Sequence, residues 1–197
     1  QLLEATPQDG RLYRRLARVH KEEGDWTAAR DVLQQGLRAH PQNAYMWHGW
    51  AQYLIESGGD DNDNDTNNNH NDAVEQAFRR AIRCDPHLPH PYHALGTREH
   101  SQGRIAKAMQ TLKQGIAYCP RNHRLHHALG DLYREAKLLD MAEKSYQKAL
   151  AVAPDQSRGF GYTALATVAY ERGLMDTARP WLAKAIQASE GRNANAW

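Results

Sequence analysis

The chain has 197 residues, with 25 Lys and Arg against 23 Asp and Glu, so its formal net charge of +2 names no partner by itself. No apolar run approaches the roughly 20 residues that a helix needs to cross a bilayer, so no membrane insertion is expected. Two cysteines, Cys84 and Cys119, fall near the ends of two different predicted helices. They read as half-buried free thiols, which fits a reducing compartment.

In chain order, Gln1 to Thr6 reads as the tail of a preceding helix, closed by Pro7. The first hairpin is expected at about Asp9–Glu23 and Trp26–Ala39, with Asp9 and Asp25 as caps that accept otherwise unpaired backbone N–H groups. Pro41 closes it. A second hairpin starts at Asn43 and carries Trp47, Trp50, Ala51 and Leu54 on one face. The run GGDDNDNDTNNNHND, from Gly58 to Asp72, interrupts it and has no apolar residue, so a disordered insertion over 59–72 is expected. The third hairpin shows Tyr92, Leu95, Gly96 and Glu99 as a stripe at helical spacing, a break at Gly103, and a second stripe from Ile105 to Ile116. Pro120 ends it, since proline cannot extend a helix. The fourth runs from Asn122 to Pro154 with Leu129, Tyr133, Ala142 and Tyr146 in its core. The fifth has two extra residues before its first helix. Pro180 lies early in its second helix, to be tolerated in the first turn or to shift the helix start. The last residues, Asn193 to Trp197, mirror Asn43 to Trp47 and read as the opening of a further repeat, so a fragment of a longer array is expected.

The spacing of the prolines is regular. Pro7 to Pro41, Pro86 to Pro120 and Pro120 to Pro154 are each 34 residues, and Pro41 to Pro86 is 45, which is 34 plus an insertion of 11. With the closing proline counted as position 32, small residues recur at fixed places. Position 8 is Ala17, Ala51, Gly96, Gly130 and Ala166. Position 20 is Ala29, Val74, Ala108, Ala142 and Ala178. Position 27 is Gly36, Ala81, Gly115, Ala149 and Ala185. Helices that approach closely leave room only for small side chains there. A 34-residue helical hairpin with this pattern resembles the tetratricopeptide repeat (TPR), and the predicted fold is all-α, a right-handed α-α superhelix of about five hairpins. The repeats are placed at about 9–41, 42–86, 87–120, 121–154 and 155–190.

Metal and catalytic readings are weak. Asp61, Asp63, Asp65 and Asp72 fit positions 1, 3, 5 and 12 of a calcium loop. However, Thr66 stands where the sharp turn needs glycine, and Asp72 is too short for the usual bidentate reach. The histidines around His90 and His123 lack the rigid spacing of a zinc site. No nucleophile elbow, phosphate loop or HExxH occurs. A non-enzymatic chain without cofactor or metal is expected.

In a tetratricopeptide solenoid the first helices line the concave face, and positions 2, 5, 6, 9 and 12 form one helical stripe on it. Repeat one supplies Arg11, Arg14, Arg15, Arg18 and Lys21. Repeat two supplies Tyr45, His48, Gly49, Gln52 and Ile55. Repeat three supplies His90, His93, Ala94, Thr97 and His100, and repeat four Arg124, His127, Ala128, Asp131 and Arg134. Repeat five gives Phe160, Thr163, Ala164, Thr167 and Tyr170. Basic character concentrates at repeat one. Glu22, Glu56, Glu135 and Glu171 at position 13 reduce it if they also face inward. The stripe reads either as a solvated charged face or as an anion-binding groove, since arginine forks suit phosphates and carboxylates. Tyr45, Phe160 and Tyr170 suit base stacking or packing at groove edges.

The runs YMWHGWAQYLIESG and ARDVLQQGLRAHP resemble the half-a-TPR (HAT) variant found in RNA-processing factors. Together with GRIAKAMQTLKQGIAYCPRN they are similar to plastid half-a-TPR proteins that mature and stabilise messenger RNA. The pattern departs at Tyr92, His126 and Tyr162, where tryptophan is commoner. That resemblance implies a chloroplast protein that binds single-stranded RNA. Arg11, Arg14, Arg15, Arg18, Lys21, Arg124 and Arg134 would then contact phosphates, and His48, Gln52, His93, Thr97, His127 and Asp131 would face bases or sugars. The rival reading is a protein-binding scaffold that grips an extended acidic segment or a partner helix in the same groove.

Overall fold

The computed structural model describes residues 10–58 and 66–194. Among these are ten α-helices, here numbered in order: α1 Gly10–Glu22, α2 Trp26–Ala39, α3 Ala44–Ser57, α4 Thr66–Cys84, α5 Pro89–Ser101, α6 Ile105–Tyr118, α7 His123–Glu135, α8 Leu139–Val152, α9 Arg158–Glu171 and α10 Met175–Ala194. A short 3-10 turn at Asp155–Ser157 precedes α9. The architecture is all-α, built of successive helical hairpins of the α-α superhelix class. The chain divides within α5, after Leu95, into two compact units.

Local chemistry sets the helix ends. Asp25 Oδ1 accepts the Ala28 N–H at 2.9 Å and the Thr27 hydroxyl at 2.8 Å, which caps α2. Asn43 and Asn122 cap α3 and α7 in the same way, accepting from Met46 N at 3.2 Å and Leu125 N at 3.1 Å. The sharp turn inside each hairpin falls at repeat position 15 and needs a left-handed backbone. Gly24, Gly58, Gly103 and Gly173 supply it with φ between 72° and 83°, and Lys137 occupies the same place with φ 59°.

In the first unit, α1 packs on α2, α3 on α4, and both α1 and α2 on α3. Tyr13, Ala17, Ala29, Leu33, Met46 and Tyr53 form one buried cluster, and Ala51, Val74, Ala77, Phe78 and Leu95 another. In the second unit α6 packs on α7, α7 on α8, α8 on α9 and α9 on α10. The small residues at positions 8 and 20 are all buried, and so are Gly36, Ala81, Gly115 and Ala149 at position 27. A Cβ added to Gly130 would stand 2.6 Å from Tyr146 Cε1, and one on Gly36 2.5 Å from Met46 Cε.

One joint recurs six residues after a closing proline. Trp47 donates its indole N–H to the Pro41 carbonyl at 2.7 Å, and His126 Nε2 donates to the Pro120 carbonyl at 2.8 Å. Histidine at this place preserves the donor although it replaces the indole.

Two expectations change. The insertion was expected to be disordered throughout 59–72, yet α4 begins at Thr66. Val74, Ala77, Phe78 and Ala81 anchor that helix, and extending it outward costs only the small deficit of asparagine and aspartate per residue. Residues 59–65 lie outside the described residues. Pro180 does not shift the start of the last helix, which begins five residues earlier at Met175. Asn193 lies within α10, which continues to Ala194. Asp9, the 1–6 tail and residues 195–197 also lie outside the described residues.

Candidate functional site

The first unit contains a groove of about 420 Å³ between α1 and α3, floored by Ala17 and Leu33. Arg11, Arg14, Arg15, Arg18 and Lys21 line it from α1, and Tyr45, Gly49 and Gln52 from α3. The four-residue helical period brings the five cations onto one side of α1. Among the described residues no carboxylate lines the groove. Arg14 sits in a defined seat: its guanidinium carbon is 5.7 Å from the centre of the Tyr45 ring. A Cβ on Gly49 would stand 3.1 Å from Arg14 Nε, so glycine makes the space in which the arginine lies. Burial pulls the Arg14 pKa down from its ordinary value, opposed by the charge of Tyr45. Arg15 is exposed and, among the described residues, enters no ion pair.

His48 lies on α3 but is only 9% exposed, packed 5.8 Å from Phe78 and 6.1 Å from the exposed His90. Burial, with the nearby charges of Arg14 and His90, pulls its pKa down to about 4. Its neutral ring is therefore part of the packing. His93 is half-buried, and Thr97 and Arg124 are exposed.

A regular rung pairs the basic side chains at position 12 with glutamate. Lys21 Nζ meets Glu56 Oε2 at 2.5 Å, His100 Nε2 meets Glu135 Oε2 at 2.5 Å, and Arg134 Nη1 meets Glu171 Oε1 at 2.8 Å. In each pair the position-12 residue of one repeat reaches the position-13 glutamate of the next. Lys137 Nζ adds a second contact to Glu171 at 3.1 Å. The Arg134 and Lys137 hydrogen bonds hold the Glu171 carboxyl below the usual range. Arg18 pairs on its own helix with Glu22 at 3.5 Å, both side chains exposed.

In the second unit the expected site residues bind one another. Tyr146 donates its hydroxyl to Asp131 Oδ1 at 2.7 Å, and His127 Nδ1 lies 3.2 Å from Asp131 Oδ2. The Asp131 hydrogen bond raises the His127 pKa against the opposing effect of burial. For Asp131, burial pushes upward, but the bonds from His127 and Tyr146 and the charges of His127 and Arg134 outweigh it, so its pKa is lowered. Burial and the bond to Asp131 push the Tyr146 phenol up. On α9 the stripe carries no charge, and Phe160 and Tyr170 are 61% and 64% exposed. Sequence reasoning placed the position-12 basic residues in the groove, left open whether the position-13 glutamates also face inward, and missed that these two sets pair across repeats. No group of three or more metal-ligating side chains occurs among the described residues.

Family models described as tetratricopeptide repeat match residues 2–53 and 123–156. The curated protein bimA of Emericella nidulans is 25% identical over 87 residues, which is 44% of this chain and 11% of that protein. The crystal structure of MamA matches with a TM-score of 0.70 at 18% identity, over 91% of this chain and 97% of that one. PilF of Pseudomonas aeruginosa gives 0.69 at 18%, over 89% and 76%. A chain of the APC/C hetero-tetramer Cut9–Hcn1 gives 0.69 at 19%, over 96% and 35%. These likenesses support tetratricopeptide repeats and their fold. The half-a-TPR, RNA-maturation and chloroplast expectations find no support in them.

Proposed function

We propose that this chain of tetratricopeptide repeats is a protein-binding scaffold, and that the α1–α3 groove grips an extended acidic segment of a partner. The observation that carries the reading is the lining of that groove: five cations from one helix, Arg14 seated between Tyr45 and Gly49, and no carboxylate. Lys21 is engaged by Glu56 across the repeats and Arg18 lies beside Glu22 on its own helix, so Arg14 and Arg15 are the groups that meet the ligand. Guanidinium forks bind carboxylates bidentately, and an extended chain offers one every few residues. Tyr45 has one face occupied by Arg14, which leaves less of it for stacking a base. No helix among the described residues is long and apolar enough to cross a membrane.

The test is fluorescence anisotropy with a labelled Asp/Glu-rich peptide of about 15 residues, its Lys-substituted counterpart, and an unstructured single-stranded RNA, each at several salt concentrations. The acidic peptide should bind and weaken with salt as surface charges are screened. Replacing Arg14 and Arg15 by Gln should weaken it roughly ten-fold or more, at 1.4 kcal/mol per decade. Binding of RNA in preference to the acidic peptide, with the same dependence on Arg14 and Arg15, would return the groove to nucleic acid.

A further inference from the structure

We propose a second docking groove, on the second unit, that receives an acidic amphipathic helix from a partner protein. It lies between α6 and α8 over α7 and encloses about 360 Å³. Its floor is mainly apolar, with Ile116 from α6 and Leu129 and Tyr133 from α7, and the buried His126 and Ser145 complete the lining. Its rims are cationic on both sides, with Lys113 on α6 facing Lys144 and Lys148 on α8. Met141, 43% exposed, adds an apolar lip.

Three features set the charge and class of the occupant. First, among the described residues no Asp or Glu lines the groove, and the nearby acids of α8, Glu143 and Asp140, are both engaged by Arg172, at 2.8 and 2.6 Å. Among the described residues Lys144 and Lys148 enter no ion pair, so their charge faces outward uncompensated. Second, the lysines are not demanded by repeat packing. The matching positions of the first two hairpins hold Gln34, Gln76 and Arg80, and all three lysines are exposed. Third, the shape selects among anionic partners. The apolar floor is sunk beneath charged rims, so a planar bilayer cannot reach it, whereas the side chains of a helix can. Base stacking by a single-stranded nucleic acid would need an open aromatic face, but Tyr133 is 5% exposed and lies under the Lys113 ammonium, 5.6 Å from its ring centre. Lysine is a mobile point charge that suits carboxylates spread along a helix, rather than the planar fork that selects one phosphate. A helix with leucines at i, i+3, i+4 and i+7 and glutamates flanking them meets both floor and rims.

The probe is a 20-residue amphipathic Leu/Glu helix, with a Leu/Lys helix and an Ala/Glu helix as counterparts. Binding is read by anisotropy on the full chain carrying Arg11→Gln, Arg14→Gln and Arg15→Gln, so that the α1–α3 groove does not contribute. The Leu/Glu helix should bind, and the other two should bind at least roughly ten-fold more weakly. Lys144→Glu with Lys148→Glu should reduce its affinity by at least the same factor, and so should Met141→Asp, with helix content by circular dichroism unchanged. Equal binding by the Ala/Glu or Leu/Lys helix, indifference to the lysine changes, or no binding at the highest attainable concentration would overturn the proposal. So would lysine-dependent pelleting with anionic vesicles in the absence of peptide binding.

Discussion

Gly130→Ala tests the close packing of α7 on α8 with the smallest possible change. The added methyl would stand 2.6 Å from Tyr146 Cε1 and 2.7 Å from Cδ1, about an ångström inside ordinary carbon contact. The obstacle is a fully buried ring whose hydroxyl is held by Asp131 at 2.7 Å, so it cannot swing away as a flexible chain end would. Overpacking of this kind costs about 1–3 kcal/mol. If the ring moves enough to break the bond to the carboxylate, a further loss of about 1.5–3 kcal/mol follows. Alanine returns about 1 kcal/mol of helix propensity. With that bond lost the balance is a loss of about 1.5–5 kcal/mol, or on the order of 3–20 °C in Tm for a chain of this length. Thermal and urea melts should be followed by circular dichroism, with coincident probes as the check on two-state behaviour in a repeat protein. Tyr146→Leu destabilises by itself, but Gly130→Ala added to it should then be neutral or stabilising, because the clash has gone. A Gly130→Ala protein that melts at or above the parent temperature while Tyr146 is present would refute the reasoning.

Four further outcomes follow from the same geometry. His48 has a folded pKa near 4 against an ordinary 6.5, so the unfolded state binds the extra proton between those values; stability should fall as pH drops from 6.5 to 4, by up to about 3 kcal/mol, and His48→Phe should flatten that slope in pH-dependent urea melts. His127 acts with the opposite sign: its folded pKa is raised, so its contribution is full below pH 6.5 and is lost as pH rises through the folded value, and Asp131→Asn should lower the His127 pKa measured by NMR titration. Glu99 is fully buried and takes a 2.6 Å hydrogen bond from the Thr111 hydroxyl, so Thr111→Val should cost about 1–3 kcal/mol in a urea melt. Lys137→Gly should raise stability by up to about 1 kcal/mol by relieving the left-handed backbone, offset slightly by the lost contact to Glu171; an unchanged or lower Tm would mean that the turn is unstrained.

Much of the fold was legible because the repeat imposes steric rules that residue type alone reveals. Ala29, Ala108 and Ala142 are small and buried where helices pack closely, and proline closes each of the first four repeats. The arginines of α1 were legible as a stripe for the same reason, since periodicity places side chains on faces. What periodicity does not give is partnership across repeats. Arg134 and Arg15 look alike in a stripe, yet one is held by Glu171 and the other enters no ion pair among the described residues. The signal was present, as a cation at position 12 followed 35 or 37 residues later by glutamate at position 13. Reading it requires the stagger between adjacent first helices. His48 illustrates a second limit: it shares a helical face with Gln52, but Phe78, on the next helix, covers it. The start of α4 at Thr66 shows a third, because composition describes the local cost of helix and not the anchor that carries it.

The bond from Trp47 or His126 to the proline carbonyl has a consequence for building longer arrays. What the joint asks for is a ring N–H at a fixed reach, not a particular ring. Indole and imidazole differ widely in bulk, so the thickness of the junction can be adjusted while the bonding stays the same. A grafted hairpin would inherit a ready-made connector from its first helix, provided that the preceding unit ends in proline. Phenylalanine would fill the same space but leave that carbonyl without its partner. The useful vocabulary for extending this chain is therefore one of interchangeable couplings, chosen for size after the donor has been secured.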